Sequence, residues 1–384
     1  MKYCEVPMIP GPTFVPERIL SAMCRDYGSG QGDPEFLELY ARTGRRLGAL
    51  MGTRNDVVFM TGEGMLALWA ALKSCLKSGD GVLSVVTGIF GDGIADMAAS
   101  IGCRTEKVLF PYNASVDAGD GLQRIEDAAG RVKPVMLTAV HCETPSGTLN
   151  PLEGIAEIKQ RLGVPLFYVD AVSSLGGVPV EADARHIDLL LGGSQKCLSA
   201  PPSMSMLAVS PAAWERSRRV GYRGYDALLP FRTVQEDGRC PYTPYRHGLA
   251  ALAAALDGIE EAGIAATFAR HEQAAALCRN GLTDLGIELF PAPDAVPSPT
   301  VTAALAPPGT EFARLQAALR GRGLAVAGSF GPMAGKVFRL GHMGSQADPI
   351  LVQKALRIIA EVTDDLRRAQ PGRRHEPEDR GLKP

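Results

Sequence analysis

An amine and a carboxylate each follow a short apolar run, and together they could carry the chemistry of one cofactor. Lys196 comes shortly after the apolar run 189–191, and Asp170 ends the run 167–170. A lysine amine forms a Schiff base with the aldehyde of pyridoxal phosphate (PLP), and a carboxylate keeps the ring nitrogen protonated. The protonated ring withdraws electrons from the Cα of a substrate. This pair of residues therefore predicts a PLP site.

Strand and helix patterns alternate through the first two thirds of the chain. Apolar residues recur at helical spacing around residues 36–50, 68–76 and 152–162, whereas shorter apolar runs are typical of strands. The predicted strands are residues 57–60, 82–86, 135–140, 166–169 and 187–191. This alternation predicts an α/β fold with a mostly parallel sheet that is covered on both faces.

Glycines and reactive side chains follow these strands in the sequence. The segments concerned are residues 62–64, residues 88–91, residues 141–147, Asp170 and Lys196. In an open parallel sheet the ligand site lies at the carboxyl ends of the strands. We therefore expect these loops to meet at one rim of the sheet and to form a single site there.

Composition and charge narrow the class of protein. The chain has 384 residues, which suits one large and one smaller domain. Its net charge of −2 argues against nucleic acid or an anionic membrane as the main partner. No apolar run approaches the roughly 20 residues that span a bilayer, and the N-terminus does not resemble a signal peptide. The eight cysteines are widely scattered, so we expect neither a disulfide framework nor a metal site. This pattern favours a location in the reducing cytoplasm.

The pattern changes near residue 260. A long predicted helix at 265–282 precedes predicted strands at 286–290, 301–303 and 336–340, which indicates a smaller α+β domain. The end of the chain is charged and contains prolines, which is typical of disorder. The expected parts are an N-terminal arm near the active site (1–14), a large cofactor-binding domain (15–262), a small C-terminal domain (263–368) and a disordered tail (369–384).

Several short motifs follow the order and spacing of a known family. They are PGPT at 10–13, HCET at 141–144, VDAVSS at 169–174, GSQKCL at 193–198, PP at 201–202, PYTP at 241–244, SPTVT at 298–302 and RLGHMG at 339–344. Nearly end to end, the chain resembles the class V aminotransferases of PLP fold type I, especially the alanine–glyoxylate and serine–glyoxylate group. Residues 62–63, 111–113 and 144–151 make it similar to the pyridoxamine–pyruvate transaminase subgroup.

The resemblance implies a PLP-dependent aminotransferase that moves an amino group between a small amino acid and a 2-oxo acid of the pyruvate or glyoxylate type. It also implies a homodimer whose active site is shared between the subunits. Lys196 would be the Schiff-base lysine and would also move the Cα proton, and Asp170 would pair with the ring nitrogen.

The resemblance assigns further residues to the cofactor ring. Phe90 would stack on one face of the ring, and Val172 would pack against the other. Thr144 could donate a hydrogen bond to the phenolic oxygen of the ring. Pro145 departs from the hydroxyl residue that is usual in the glyoxylate group, so one polar contact is missing there.

The expected phosphate pocket contains one unusual residue. Backbone N–H groups of Gly64 and Met65 at a helix start, with Gln195, would cradle the anion. Thr243 would complete the pocket from the partner subunit. Glu63, however, stands where the glyoxylate group usually has serine. A carboxylate about 4 Å from a phosphate costs on the order of 4 kcal/mol per charge pair at a dielectric of 20, and about 1 kcal/mol in bulk water. Three alternatives therefore stay open: the Glu63 side chain points away from the pocket, it pairs with a cation, or the pocket disfavours binding of a phosphate.

The remaining assignments concern the substrate. Arg339 would hold the substrate α-carboxylate through a bidentate fork. Gly11 and Glu63 are also placed in the substrate site by the resemblance. Phe330 stands where pyridoxamine–pyruvate transaminases have a second arginine, and it would provide an apolar wall for a less polar substrate.

Two alternatives to ordinary transamination stay open at this point. The first is a PLP enzyme that uses the Cα carbanion for elimination, replacement or carbon–carbon bond formation, suggested by Phe330 and Pro145. The second is a pyridoxamine–pyruvate transaminase that uses unphosphorylated pyridoxamine as its substrate, suggested by Glu63. The sequence does not name the amino donor or the acceptor.

Overall fold

The computed structural model describes residues 4–117 and 119–368, so the tail predicted to be disordered at 369–384 lies outside the described residues. The strands are β1 (Val6–Pro7), β2 (Asp56–Thr61), β3 (Gly81–Val86), β4 (Arg104–Leu109), β5 (Met136–Val140), β6 (Cys142–Glu143), β7 (Thr148–Leu149), β8 (Leu166–Asp170), β9 (Leu189–Gly193), β10 (Met204–Val209), β11 (Val301–Leu305), β12 (Leu324–Ala325), β13 (Ala327–Gly328) and β14 (Val337–Gly341).

Helices follow most of these strands. They are α1 (Glu17–Met23), α2 (Pro34–Met51), α3 (Gly64–Cys75), α4 (Ile89–Ser100), α5 (Gly121–Val132), α6 (Glu153–Arg161), α7 (Pro211–Val220), α8 (Val234–Asp237), α9 (Arg246–Ala262), α10 (Ile264–Asp284), α11 (Phe312–Gly321) and α12 (Pro349–Arg368). Short 3₁₀ helices lie at Leu229–Phe231, Gly331–Met333 and Gly344–Gln346. No helix among the described residues has the length and hydropathy needed to cross a bilayer.

The central sheet has seven strands in the order β2-β10-β9-β8-β5-β3-β4. Strand β10 runs antiparallel to both of its neighbours, and the other adjacent pairs are parallel. The predicted α/β fold with a mostly parallel sheet is therefore confirmed. Strands β3, β5, β8, β9 and β10 are buried along their whole length, as expected for strands covered on both faces.

Two hydrophobic cores sandwich this sheet. In β8, Phe167 and Val169 point into one core, and Leu166 and Tyr168 point into the other. The first core also contains side chains of α2, α5, α6 and α9, and the second contains side chains of α3, α4 and α7. This alternation explains why the strands read as continuous apolar runs, since both faces of each strand must be apolar.

The parallel strands bring their carboxyl ends to one rim of the sheet. Asp170 is the last residue of β8, and Lys196 follows β9. Glu63 lies between β2 and α3, and Phe90 lies in the first turn of α4 after β3. The sequence pattern therefore placed these loops on the correct edge of the sheet.

The C-terminal part contains a smaller antiparallel sheet. Its strand order is β11-β14-β13, and helices α10, α11 and α12 pack into a separate core around it. The N-terminal strand β1 pairs in parallel with β12, so the start of the chain is attached to this part. The expected strand at 286–290 is wrong. Gly286 has a φ of +70° just after α10, and Leu289 makes only an isolated bridge to Ala304.

Candidate active site

A cavity of about 300 Å³ opens at the rim of the large sheet. This volume lies at the lower end of the range typical of small-molecule sites. The expected site residues on its walls are Gly11, Glu63, Met65, Phe90, Asp170, Val172, Gln195 and Lys196. Residues from opposite ends of the first 200 positions therefore meet in one place, as the sequence pattern predicted.

Lys196 is held by the N-terminal arm. Its Nζ donates a hydrogen bond of 2.7 Å to the carbonyl oxygen of Pro10. Gly11 makes this approach possible, because a Cβ at that position would lie 2.5 Å from Lys196 Cδ. Burial lowers the pKa of the Lys196 amine, and the nearby charge of Arg339 lowers it further. A lowered pKa increases the neutral, nucleophilic fraction of an amine.

Asp170 is a buried carboxylate at the end of β8. Asp170 is only 5% exposed, and its Oδ1 accepts a 2.8 Å hydrogen bond from the Val172 N–H. Desolvation raises the pKa of Asp170 to about 6, although the Val172 N–H and the charge of Lys196 lower it. No basic side chain among the described residues forms an ion pair with it. A protonated ring nitrogen in the cavity would supply the missing positive charge.

The walls between these two groups are apolar. Phe90 and Val172 both line the cavity. A Cβ on Gly64 would lie 2.9 Å from Val172 Cγ2, so glycine at the start of α3 lets the helix pack this closely. Thr144 is not on the cavity wall. Its hydroxyl is hydrogen-bonded to the hydroxyl of Ser173, and Ser173 lines the cavity.

The end of the cavity near α3 is occupied by a carboxylate. Gln195 Nε2 donates a 3.0 Å hydrogen bond to Glu63 Oε2. Glu63 is the N-cap residue of α3 but makes no side-chain capping bond, and Gly64 and Met65 begin the helix. Gln195 Oε1 is buried without a hydrogen-bond partner in the described part of the chain. One of the two N–H donors of the Gln195 amide, which was expected to hold a phosphate, is thus already used by Glu63.

Arg339 lies on β14, close enough to Lys196 to affect its pKa. Its guanidinium donates to the carbonyl oxygens of Gly328 and Thr144, with Nε–O and Nη1–O distances of 2.8 and 3.3 Å. The ring centroid of Phe330 lies 4.8 Å from Arg339 Cζ. Burial lowers the pKa of Arg339 to about 10, so the group stays cationic at neutral pH.

Comparison with known proteins agrees with this geometry. The family model for class V aminotransferases matches residues 10–339. An uncharacterized aminotransferase of Methanocaldococcus jannaschii is 37% identical over 88% of this chain and 87% of its own length. The chain belongs to the class V aminotransferases.

Two further relatives show how far the likeness extends. The pyridoxamine–pyruvate transaminase of Mesorhizobium japonicum is 32% identical over 85% of this chain and 84% of its own. The crystal structure of an alanine–glyoxylate aminotransferase from Nostoc sp. superposes with a TM-score of 0.88 at 28% identity, covering 94% of this chain and 96% of that one. The predicted family and PLP fold type I are confirmed.

This class V aminotransferase is therefore a PLP-dependent transferase. Bound PLP supplies an aldehyde for a lysine amine and a ring that withdraws electrons from the substrate Cα. The buried carboxylate of Asp170, which forms no ion pair among the described residues, fits the ring nitrogen, and the amine of Lys196 fits the aldehyde. Phe90 and Val172 provide apolar surfaces for a flat ring. The residues present thus fit the group, with Glu63 as the one side chain that opposes its phosphate.

Five expected residues are not on the cavity wall: Gly64, Thr144, Phe330, Arg339 and Thr243. Of these, Thr243 lines a separate apolar pocket, together with Tyr225 and Tyr242. Within one chain it therefore does not take part in the site around Lys196. The sequence-based role of Thr243 required a second subunit, so this placement leaves that role as a prediction.

Sequence reasoning missed several residues of the aminotransferase site. Cys142 and Ser173 line the cavity, and Glu143 lies behind its wall. Cys142 and Glu143 belong to the motif at 141–144, and Ser173 belongs to the motif at 169–174. Their membership of these motifs was a usable signal, but nothing local distinguishes a buried carboxylate from an exposed one.

Proposed function

We propose that this chain is a homodimeric, cytoplasmic aminotransferase that moves the amino group of a small amino acid to a small 2-oxo acid. The observation that carries the proposal is the meeting of Lys196 and Asp170 in one cavity, where each affects the pKa of the other. A non-enzymatic binding protein would not need an amine of lowered pKa facing such a cavity.

Each polar group has a distinct role in this proposal. Lys196 Nζ removes the proton from the substrate Cα and returns it in the reverse direction, which its lowered pKa favours. Asp170 keeps the ring nitrogen protonated. Arg339 fixes the substrate α-carboxylate through two parallel N–H bonds, giving up part of its bonding to the Gly328 carbonyl.

The substrate class follows from the charges near Arg339. Phe330 covers the guanidinium, and it is 51% exposed. An apolar ring beside the arginine offers no partner for a second carboxylate, so a substrate with one carboxylate and a small or apolar side chain is favoured. The names of the relatives from Mesorhizobium and Nostoc include pyruvate and glyoxylate, and both compounds are small 2-oxo acids.

A direct assay tests this function. The PLP-loaded protein is mixed with alanine or serine and with glyoxylate, and the new 2-oxo acid is measured together with the cofactor absorption spectrum. We expect turnover with at least one small donor and none with K196A. The matched control K336A removes an exposed lysine and should behave like the wild type. If no small donor alters the spectrum, the proposal fails.

The dimer is proposed because Thr243 does not reach the cavity of its own chain. In a shared site, a mixture of K196A and T243A subunits would form mixed dimers with one intact site. We expect partial recovery of activity on mixing, together with a dimer mass by light scattering. A monomer mass, or no recovery after proven subunit exchange, would contradict the shared site.

A cytoplasmic location is supported by the eight cysteines, all of which are free.

A second candidate function is pyridoxamine–pyruvate transamination. The observation that favours it is the hydrogen bond from Gln195 to Glu63, which puts a negative charge where a phosphate would bind. The freshly purified protein would then be colourless and would convert free pyridoxamine and pyruvate. A yellow protein with tightly held cofactor would exclude this candidate.

Elimination or replacement chemistry is not favoured, because the family match is to aminotransferases.

A further inference from the structure

Glu143 is a fully buried carboxylate directly behind the cavity wall. It lies on β6 and is 0% exposed. Its Oε1 accepts a 2.8 Å hydrogen bond from the Gly91 N–H, and its Oε2 accepts a 3.2 Å bond from the Phe90 N–H. A Cβ on Gly88 would overlap the Glu143 carboxyl group, so glycine there makes room for it.

Burial of this carboxylate is energetically unfavourable if its only role is to fill space. No basic side chain among the described residues forms an ion pair with it. Its hydrogen-bond donors are backbone N–H groups in the first turn of α4. Burying a carboxylate without a cation is unfavourable, whereas an apolar side chain would fill the same space without that penalty. What the carboxylate adds is a fixed position for the backbone of Phe90.

The position of Phe90 matters because its ring lines the cavity that contains Lys196 and Asp170. The next residue after Glu143 also contacts the site, since the Thr144 carbonyl accepts a hydrogen bond from Arg339 Nη1. One short hairpin thus touches both the proposed cofactor wall and the proposed substrate arginine.

We propose that Glu143 is a positioning residue that holds the Phe90 ring against the cofactor by fixing the first turn of α4. This inference rests on the proposed function, in which Phe90 faces the cofactor ring. Above pH 7, where the Glu143 carboxyl group is ionised, loss of its hydrogen bonds is expected to weaken cofactor retention by about 10–100-fold. The effect should pass through Phe90 and not through general stability.

The experiment compares E143Q, F90L and the double variant, each loaded with PLP. Cofactor retention is measured from the loss of absorbance on dilution, and ring orientation from the visible circular dichroism of the bound cofactor. We expect each single variant to weaken retention by about 10-fold or more and to change the dichroism. The double variant should retain cofactor no worse than F90L, because both changes act on the same ring.

A matched control separates positioning from stability. Asp188 is another buried carboxylate that accepts a hydrogen bond from a backbone N–H, that of Phe167. Unlike Glu143 it is paired with Lys159, and it precedes β9, so it lies at the opposite end of the sheet. D188N should lower the thermal midpoint without changing the dichroism of the cofactor. The inference is overturned if E143Q behaves like D188N, or if the effects of E143Q and F90L add fully.

The two levels of proposal fail in different ways. If the wild type binds no pyridoxyl compound under any condition, the proposed function fails and this inference fails with it. If the wild type is active but F90L retains the cofactor normally, only the role of Glu143 is overturned.

Discussion

Replacing Glu63 with glutamine is expected to strengthen the binding of PLP and to leave the binding of unphosphorylated pyridoxal unchanged. The Glu63 carboxylate lies 3.0 Å from Gln195 Nε2. A phosphate that accepts from the same amide would lie about 4 Å from that carboxylate. Because Glu63 is exposed, the value for bulk water applies, about 1 kcal/mol per charge pair. With about 1.5–2 charges on the phosphate, E63Q should bind PLP about 10–30-fold more tightly.

Titration of the cofactor-free protein gives the two dissociation constants by absorbance. The difference between the wild type and E63Q should shrink as salt is added, since the carboxylate is exposed and its field is screened. The matched control is E17Q, which removes another exposed carboxylate in the first turn of a helix and should change neither constant. An equal change for PLP and pyridoxal, or no change for PLP, would refute the reasoning.

Three further predictions concern Arg339, Phe330 and Glu143. R339K should lower kcat/KM for the amino donor by about 10–100-fold, mostly through KM, because lysine cannot form the bidentate fork; unchanged steady-state kinetics would contradict this. F330R should raise kcat/KM for aspartate relative to alanine by about 10-fold, because a second carboxylate gains a partner; an unchanged ratio would argue that Phe330 does not face the substrate. Burial raises the pKa of Glu143 from 4.5 to about 7, so the folded protein binds this proton more tightly than the unfolded chain does. The free energy of unfolding of the cofactor-free wild type, relative to E143Q, should therefore fall by about 3 kcal/mol as the pH rises from 4.5 to 7, which denaturant titrations can check.

The residues that could be predicted best are those whose surroundings are local in sequence. Asp170 ends one buried strand and Lys196 follows another, and parallel strands necessarily bring their ends to one edge. The central sheet could be predicted for the same reason, because a strand buried on both faces must be apolar throughout.

The rest depended on contacts between distant positions. The Pro10 carbonyl that holds Lys196 is 186 residues away in sequence, and the Gly91 N–H that binds Glu143 is 52 residues away. No local pattern records such pairs. The predicted strand at 286–290 is reduced to one bridge for a related reason: Ile287 and Leu289 pack into the small core, but the backbone pairs with β11 only around Leu289.

The pairing of β1 with β12 has a consequence for the order in which the enzyme becomes competent. The arm that holds Lys196 leaves the ribosome before the strands of the large sheet, yet its pairing partner at Leu324–Ala325 is translated only after them. The large sheet can form earlier, with its amine still lacking the Pro10 carbonyl. A nascent chain that stalls before this strand would thus have a folded reaction centre without its cover, and such a truncated product should hold its lysine loosely.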